Sequence, residues 1–179
     1  NGDAVIDTPY EVNPAGFTIH SAIHSAREDA QCVLHLHTND GVAVSIQEDG
    51  LLPISQTSML IHPHIAYHDY EGPSLYLEER ERLQESLGDK KVLILRNHGL
   101  LTVGRTVAEA FIRLYRLESA CQVQLDAGAA GSLRVLNQDL ARKSGKDVKR
   151  FMEQEDHFGQ LEFDALVRKI DKLDDSYRL

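Results

Sequence analysis

The run Cys32-Val33-Leu34-His35-Leu36-His37-Thr38 decides the fold. It reads as a buried strand with two histidines set into it. Side chains alternate faces along a strand, so His35 and His37 share one face while Leu34 and Leu36 share the other. Two imidazoles on one face can hold a single divalent ion. A third histidine delivered by the fold would leave an open coordination position, the pattern of a catalytic zinc site rather than a structural one. The candidate for that third ligand is His98, in Arg96-Asn97-His98-Gly99. Spacing alone does not select it from the other histidines. Its place in a tight turn directly after the apolar run Val92-Leu93-Ile94-Leu95 favours it, because loops on a rigid scaffold carry function.

Outward from these two stretches, strands and helices mix, which makes the class α/β or α+β. Val92–Leu95 has the continuous apolar character of a central strand buried on both faces, and Leu100–Val103 leaves the turn as another strand. Ala4–Asp7 and Ile65–Tyr67 are further short strands, and Leu51–Ile54 is an extended piece. Asn13-Pro14 opens a helix, with Asn as its cap and Pro in its first turn, and the helix runs to about Arg27. Thr38 or Asn39 caps a second helix that ends at Asp49-Gly50, and Ser55–Ile61 is also helical. Ser74 caps a charged helix, Leu75–Leu87, that stops at Gly88. Thr106-Val107-Ala108-Glu109 is a capping box that opens the longest helix, to about Ala127, before a small-residue break at Gly128 to Gly131. The charged remainder holds one amphipathic stretch, Leu161–Leu173, which needs a surface to pack on. Residues 1–128 therefore form one domain and residues 129–179 a C-terminal extension.

The chain has 179 residues and a formal net charge of −9. It is long enough to bury a core without disulfides. It has no basic patch of the kind that binds nucleic acid or anionic membranes and no apolar run of membrane-spanning length. Cys32 and Cys121 form no disulfide framework, so buried inert thiols in a reducing cytoplasm are expected. The remaining polar groups have plainer readings. His20 and His24 lie four apart on one helix face and pack against neighbouring elements. His62-Pro63-His64 is a solvated loop with room for a role at the rim of a site. In Tyr67-His68-Asp69-Tyr70, Asp69 either orients an imidazole as a partner behind a site or bonds local backbone in a turn. Glu78-Glu79-Arg80-Glu81-Arg82 is a solvated helix face.

Taken together, Asn13-Pro14-Ala15-Gly16-Phe17-Thr18-Ile19-His20, Val33-Leu34-His35-Leu36-His37-Thr38, Leu52-Pro53-Ile54-Ser55, Ala66-Tyr67-His68-Asp69-Tyr70-Glu71-Gly72 and Lys91–Leu100 resemble the class II aldolase/adducin N-terminal domain family, in its bacterial adducin-head-like branch. The resemblance implies a three-layer α/β/α domain around a mainly antiparallel sheet. It implies a homotetramer in the enzymes, and His35, His37 and His98 as ligands of a zinc-type ion that polarises a carbonyl substrate. It also places Gly16 where the aldolases carry an acid/base glutamate, and glycine cannot move a proton. Proton transfer then falls to a water, His68 or Tyr67, with Glu11 or a group from another chain as substitutes for the glutamate, while Tyr67 and Tyr177 are the candidates for the family's catalytic tyrosines. Two functions follow. One is a metal-dependent carbon-carbon lyase, of aldolase or decarboxylase type, acting on a small carbonyl compound. The other is a non-catalytic adducin-head-like oligomerisation module that retains a metal site.

Overall fold

A computed structural model describes residues 5–152 and 158–178. Four strands make one sheet: β1 (Cys32–Leu36), β2 (Ile65–His68), β3 (Val92–Leu95) and β4 (Gly99–Gly104), in the order β1-β4-β3-β2. The sheet is mixed. β4 pairs antiparallel with both β1 and β3, while β2 runs parallel to β3. The class is thus α/β with a mostly antiparallel sheet. One consequence of this order shapes everything that follows. β1, β2 and β3 all point one way and β4 points back, so the carboxyl ends of three strands meet along a single edge.

Helices cover both faces, as the uninterrupted apolar runs of β3 and β4 require. On one face α1 (Pro14–Ala26) and α4 (Glu79–Leu87) bury Ile19, Ala22, Ile23, Leu83 and Leu87 against Val33, Leu93, Leu101 and Val103. On the other, α2 (Asn39–Ile46), α3 (Gln56–Ile61) and α5 (Val107–Ala130) bury Val44, Ile61, Leu114, Leu117 and Cys121 against Val92, Ile94 and Leu100. Consecutive strand residues feed opposite clusters, which is the pleat at work. α6 (Gln138–Met152) and α7 (Gln160–Asp171) follow. α7 docks on α5, with the rings of Phe111 and Phe163 5.4 Å apart.

Several helix starts are as the sequence suggests. Asn13 Oδ1 accepts from the N–H groups of Ala15 and Gly16, and Ser55 and Ser58 form a reciprocal box at the start of α3. Others differ. Val5–Asp7 carries no strand, and Ala4 lies outside the described residues. The charged helix starts at Glu79 rather than Leu75. Ser74 does not cap it: Ser74 is buried with φ of 51° and donates its hydroxyl to the Glu79 carboxylate. At Thr106 only half of the expected box forms. Thr106 accepts from the Glu109 N–H, but the Glu109 carboxylate reaches back one residue further, to the N–H of Arg105. α5 runs through Gly128 and ends at Gly131. The fifteen-residue helix α6 is not foreseen from the sequence at all.

Candidate metal centre

His35 and His37 stand at the carboxyl end of β1, and His98 stands in the turn between β3 and β4. The turn reaches the strand end because Asn97 adopts a left-handed φ of 57°, a conformation asparagine tolerates better than most residues. Gly99 supplies the close approach. A Cβ there would lie 2.5 Å from the Leu36 carbonyl oxygen and 3.0 Å from the His37 ring. Ring centroids are 4.7 Å apart for His35–His37, 4.9 Å for His35–His98 and 4.6 Å for His37–His98, a nearly equilateral triangle. One nitrogen from each ring lies within 4.8 Å of the others.

The protonation pattern follows from the partners. His35 Nδ1 is 3.0 Å from the Leu100 carbonyl oxygen, so it carries the hydrogen and donates it. That leaves a lone pair on Nε2, which faces His37 Nε2 at 2.8 Å. Backbone carbonyls fix ligating histidines in this way, by engaging the nitrogen that does not bind. Burial, aided by His98, His37 and His20, pushes the His35 imidazole down to about 4 against the raising effect of the Leu100 bond. Burial and then His37 push His98 below the ordinary range. Both rings are thereby neutral at physiological pH, the form that ligates. His37 is exposed, so the cluster opens to solvent on one side. With a free Nε2 lone pair on His35, one nitrogen each from His37 and His98 converging on it, and an open side, the cluster fits a divalent ion of zinc type.

The other candidates divide by face. Tyr67 packs into the α2–α5 cluster, away from His35. Its hydroxyl accepts from the Leu51 N–H at 3.1 Å, the Arg96 guanidinium lies 4.3 Å from its ring centroid, and burial raises its pKa. Tyr67 and the three-histidine cluster are not brought together. Tyr177, on the C-terminal extension, donates its hydroxyl to Asp171. His68 lies on the other face from Tyr67, buried at the carboxyl end of β2. It lines a narrow crevice with Tyr70, Glu71, Glu79, Arg96 and His98. Its Nδ1 is 2.9 Å from Ser86 Oγ, and its Nε2 is 3.5 Å from Glu79 Oε1 and 3.9 Å from Glu71 Oε1. The sequence assigns Glu79 to a solvated face, yet it is only 5 % exposed. Nothing in its charged neighbourhood distinguishes it beforehand. Asp69 also lines the crevice, but it is Glu71 and Glu79 that face the imidazole. Thr38 sits at the N-cap of α2 without capping it. Its hydroxyl donates to Glu118 Oε2 on α5 at 2.6 Å.

His20 and His24 lie on α1 with ring centroids 6.3 Å apart, and His24 Nδ1 lies 2.7 Å from the Ala30 carbonyl oxygen. His62 opens a 3-10 turn over His62–His64 and is half-buried, and burial lowers its pKa. It lines a cavity of about 540 Å³ with Asp49, Leu51–Pro53 and α6, well apart from the three-histidine edge. Burial raises the Cys32 thiol and pushes Cys121 up to about 12, where neither is reactive. Among the described residues no helix is long and apolar enough to cross a membrane.

Comparison with known proteins agrees with this architecture. The family model described as "Class II Aldolase and Adducin N-terminal domain" matches residues 1–125. A Caulobacter vibrioides protein named "Putative aldolase class 2 protein" is 48% identical over 98% of this chain and 68% of its own length. Rat (Rattus norvegicus) alpha-adducin is 43% identical over 90% of this chain, which spans only 23% of that protein. The crystal structure of an aldolase II superfamily protein from Pseudomonas syringae superposes with a TM-score of 0.88 at 46% identity, covering 99% of this chain and 71% of that one. The chain belongs to the class II aldolase and adducin N-terminal domain family.

Proposed function

We propose that this chain is a divalent-metal-dependent lyase acting on a small carbonyl compound, with His35, His37 and His98 as the protein ligands of a zinc-type ion. The observation that carries the reading is the convergence of one nitrogen from each of His35, His37 and His98 to within 4.8 Å of one another. A fold used only as a scaffold has no need to gather three imidazole nitrogens in one place. When bound, such an ion supplies Lewis-acid polarisation of a substrate oxygen. The chain's own part is to orient the ligands. The Leu100 carbonyl holds the His35 tautomer, Gly99 lets β4 close against the end of β1, and the Thr38–Glu118 bond ties the segment after His37 to α5. Gly16 offers no proton carrier. His68, facing Glu79 in the crevice shared with His98, is the better placed of the two proton-transfer candidates, since Tyr67 packs on the far face.

The same reading takes residues 1–128 as the family domain, built as a three-layer α/β/α sandwich, with 129–179 as an extension. It takes the assembly as a homotetramer, supported by the exposed Leu161, Ile170 and Leu173 of the extension, and the setting as cytoplasmic, supported by two free cysteines. A second reading, a non-catalytic oligomerisation module, is favoured by Gly16 and by the 43% identity to alpha-adducin. Elemental analysis of purified chain decides the metal question. We expect one divalent ion per chain in the wild type and loss of that ion in His35→Ala with the fold retained. A metal-free protein that is equally stable with and without His35 overturns the reading. Metal without turnover across a panel of hydroxy and keto acids and aldehydes favours the module.

A further inference from the structure

Three imidazoles bring no charge to the ion they hold. Among the described residues no aspartate, glutamate or cysteine joins His35, His37 and His98 in their cluster. A divalent cation held there keeps its full double charge as far as the described ligands are concerned. The space beside it is open in two directions. His37 is exposed. On the α1 side, Gly16 stands one turn before His20 on the same helix face, and among the described residues a Cβ on Gly16 would meet nothing closer than Asn13 Cβ at 3.8 Å. Of the carboxylates that line the crevice with His98, Glu71 is clamped by the Arg82 guanidinium, Glu79 accepts from Ser74 Oγ and faces His68, and Asp69 is exposed to solvent. Among the described residues none of them joins the three histidines in one cluster.

Resting on the metal-site reading above, we propose that the ligand of this site is an anionic two-oxygen chelator, a 2-hydroxy- or 2-oxocarboxylate, whose own carboxylate supplies the negative charge that the protein's donor set lacks. The carboxylate and the adjacent hydroxyl or carbonyl oxygen close a five-membered ring on the ion. The empty volume over Gly16 accommodates the part of the molecule that a protein side chain would otherwise fill. A neutral hydroxyketone of the same size offers the same two oxygens but leaves the double charge unbalanced, so it binds more weakly.

The test uses the whole chain loaded with cobalt(II), whose visible absorption reports changes in the ion's ligands without any turnover. Titration with glycolate and with hydroxyacetone compares an anionic and a neutral chelator of similar size. We expect glycolate to bind at least about tenfold more tightly, a modest return on one full charge at contact distance. In Gly16→Glu, a carboxylate placed on the facing helix turn weakens glycolate by about tenfold, whereas Gly16→Gln, of equal bulk and no charge, changes it by less than about threefold. Equal affinities for the two chelators in the wild type overturn the proposal, as do equal effects of the two Gly16 variants. A chain that takes up no cobalt overturns the metal-site reading itself and this proposal with it. Cobalt uptake without anion preference removes only the present inference.

Discussion

Thr38 looks like a helix cap in the sequence, and its hydroxyl is spent elsewhere, on Glu118 eighty residues away. Local pattern names the residue types that can cap; only the packing of α5 over β1 decides where the hydroxyl goes. Tyr67 and His68 make the same point. Both are polar and adjacent, yet strand alternation sends Tyr67 into an apolar cluster and His68 towards His98. By contrast His35 and His37 are legible from sequence, because a spacing of two on a strand fixes a shared face whatever the rest of the chain does. At this scale two outcomes are expected. At the proposed site protons and metal would compete for the same nitrogens. With His35 held near 4 and His98 depressed, protons compete poorly until the solution is well below the ordinary imidazole range of about 6.5. Metal release, followed by a chromogenic chelator across a pH series, should therefore fall below about pH 6 rather than at it. Gly99→Ala forces a methyl group against the Leu36 carbonyl. It should cost about 1–3 kcal/mol of stability, measured by denaturant titration, and should weaken metal uptake by moving His37.

At the level of elements, the strands and most helices of the family domain were readable because their apolar periods are strong and their caps conventional. α4 was not. Ser74 resembles a cap, but a positive φ and a bond to Glu79 place it in a buried turn ahead of the helix. Buried polar groups of this kind cannot be seen in a pattern that scores charge as exposure. α6 is hard to see because its apolar residues are few, although Leu140, Ala141 and Val148 recur at helical spacing. The amphipathic stretch of α7 needs a surface to pack on, and α5 supplies it. Phe158, only 5 % exposed, lies between the guanidinium groups of Arg113 and Arg116, each 5.1 Å from its ring centroid. Gly159, at φ of 78°, passes so close to Ile112 that a Cβ would lie 2.8 Å from it. An isolated helix of twelve residues is marginal in water. Phe158→Ala should therefore speed amide hydrogen exchange across α7 by at least about tenfold while leaving β3 and β4 unchanged. Equal protection of α7 in both proteins would show that Phe163 suffices to hold it.

For the whole molecule, one tie between distant segments contributes to acid sensitivity. Asp29 accepts from Arg27 and pairs with Lys91, while Arg27 also donates to the carbonyls of Gly88 and Lys90. The Arg27 hydrogen bonds, then Lys91, hold the Asp29 carboxyl well below the usual carboxylate range. The folded state therefore binds this proton less readily than the unfolded chain. The associated stability is complete above the ordinary carboxylate pKa of about 3.9 and drains away as the pH falls below it. Asp29→Asn should flatten the dependence of unfolding free energy on pH between about 5 and 2, measured by urea titration at each pH, and should lower stability at neutral pH. An unchanged slope would assign acid sensitivity to other carboxylates.

The reversed strand β4 has one more consequence. The two halves of the three-histidine cluster, on β1 and after β3, become neighbours only when β4 is inserted between those strands. No partly assembled chain can grip a cation with all three rings. An ion held as proposed would thus be a late arrival that needs the finished sheet. It would join two segments about sixty residues apart along the backbone and draw the population towards the native form as its concentration rises. Its capture would serve as a clock for the completion of folding.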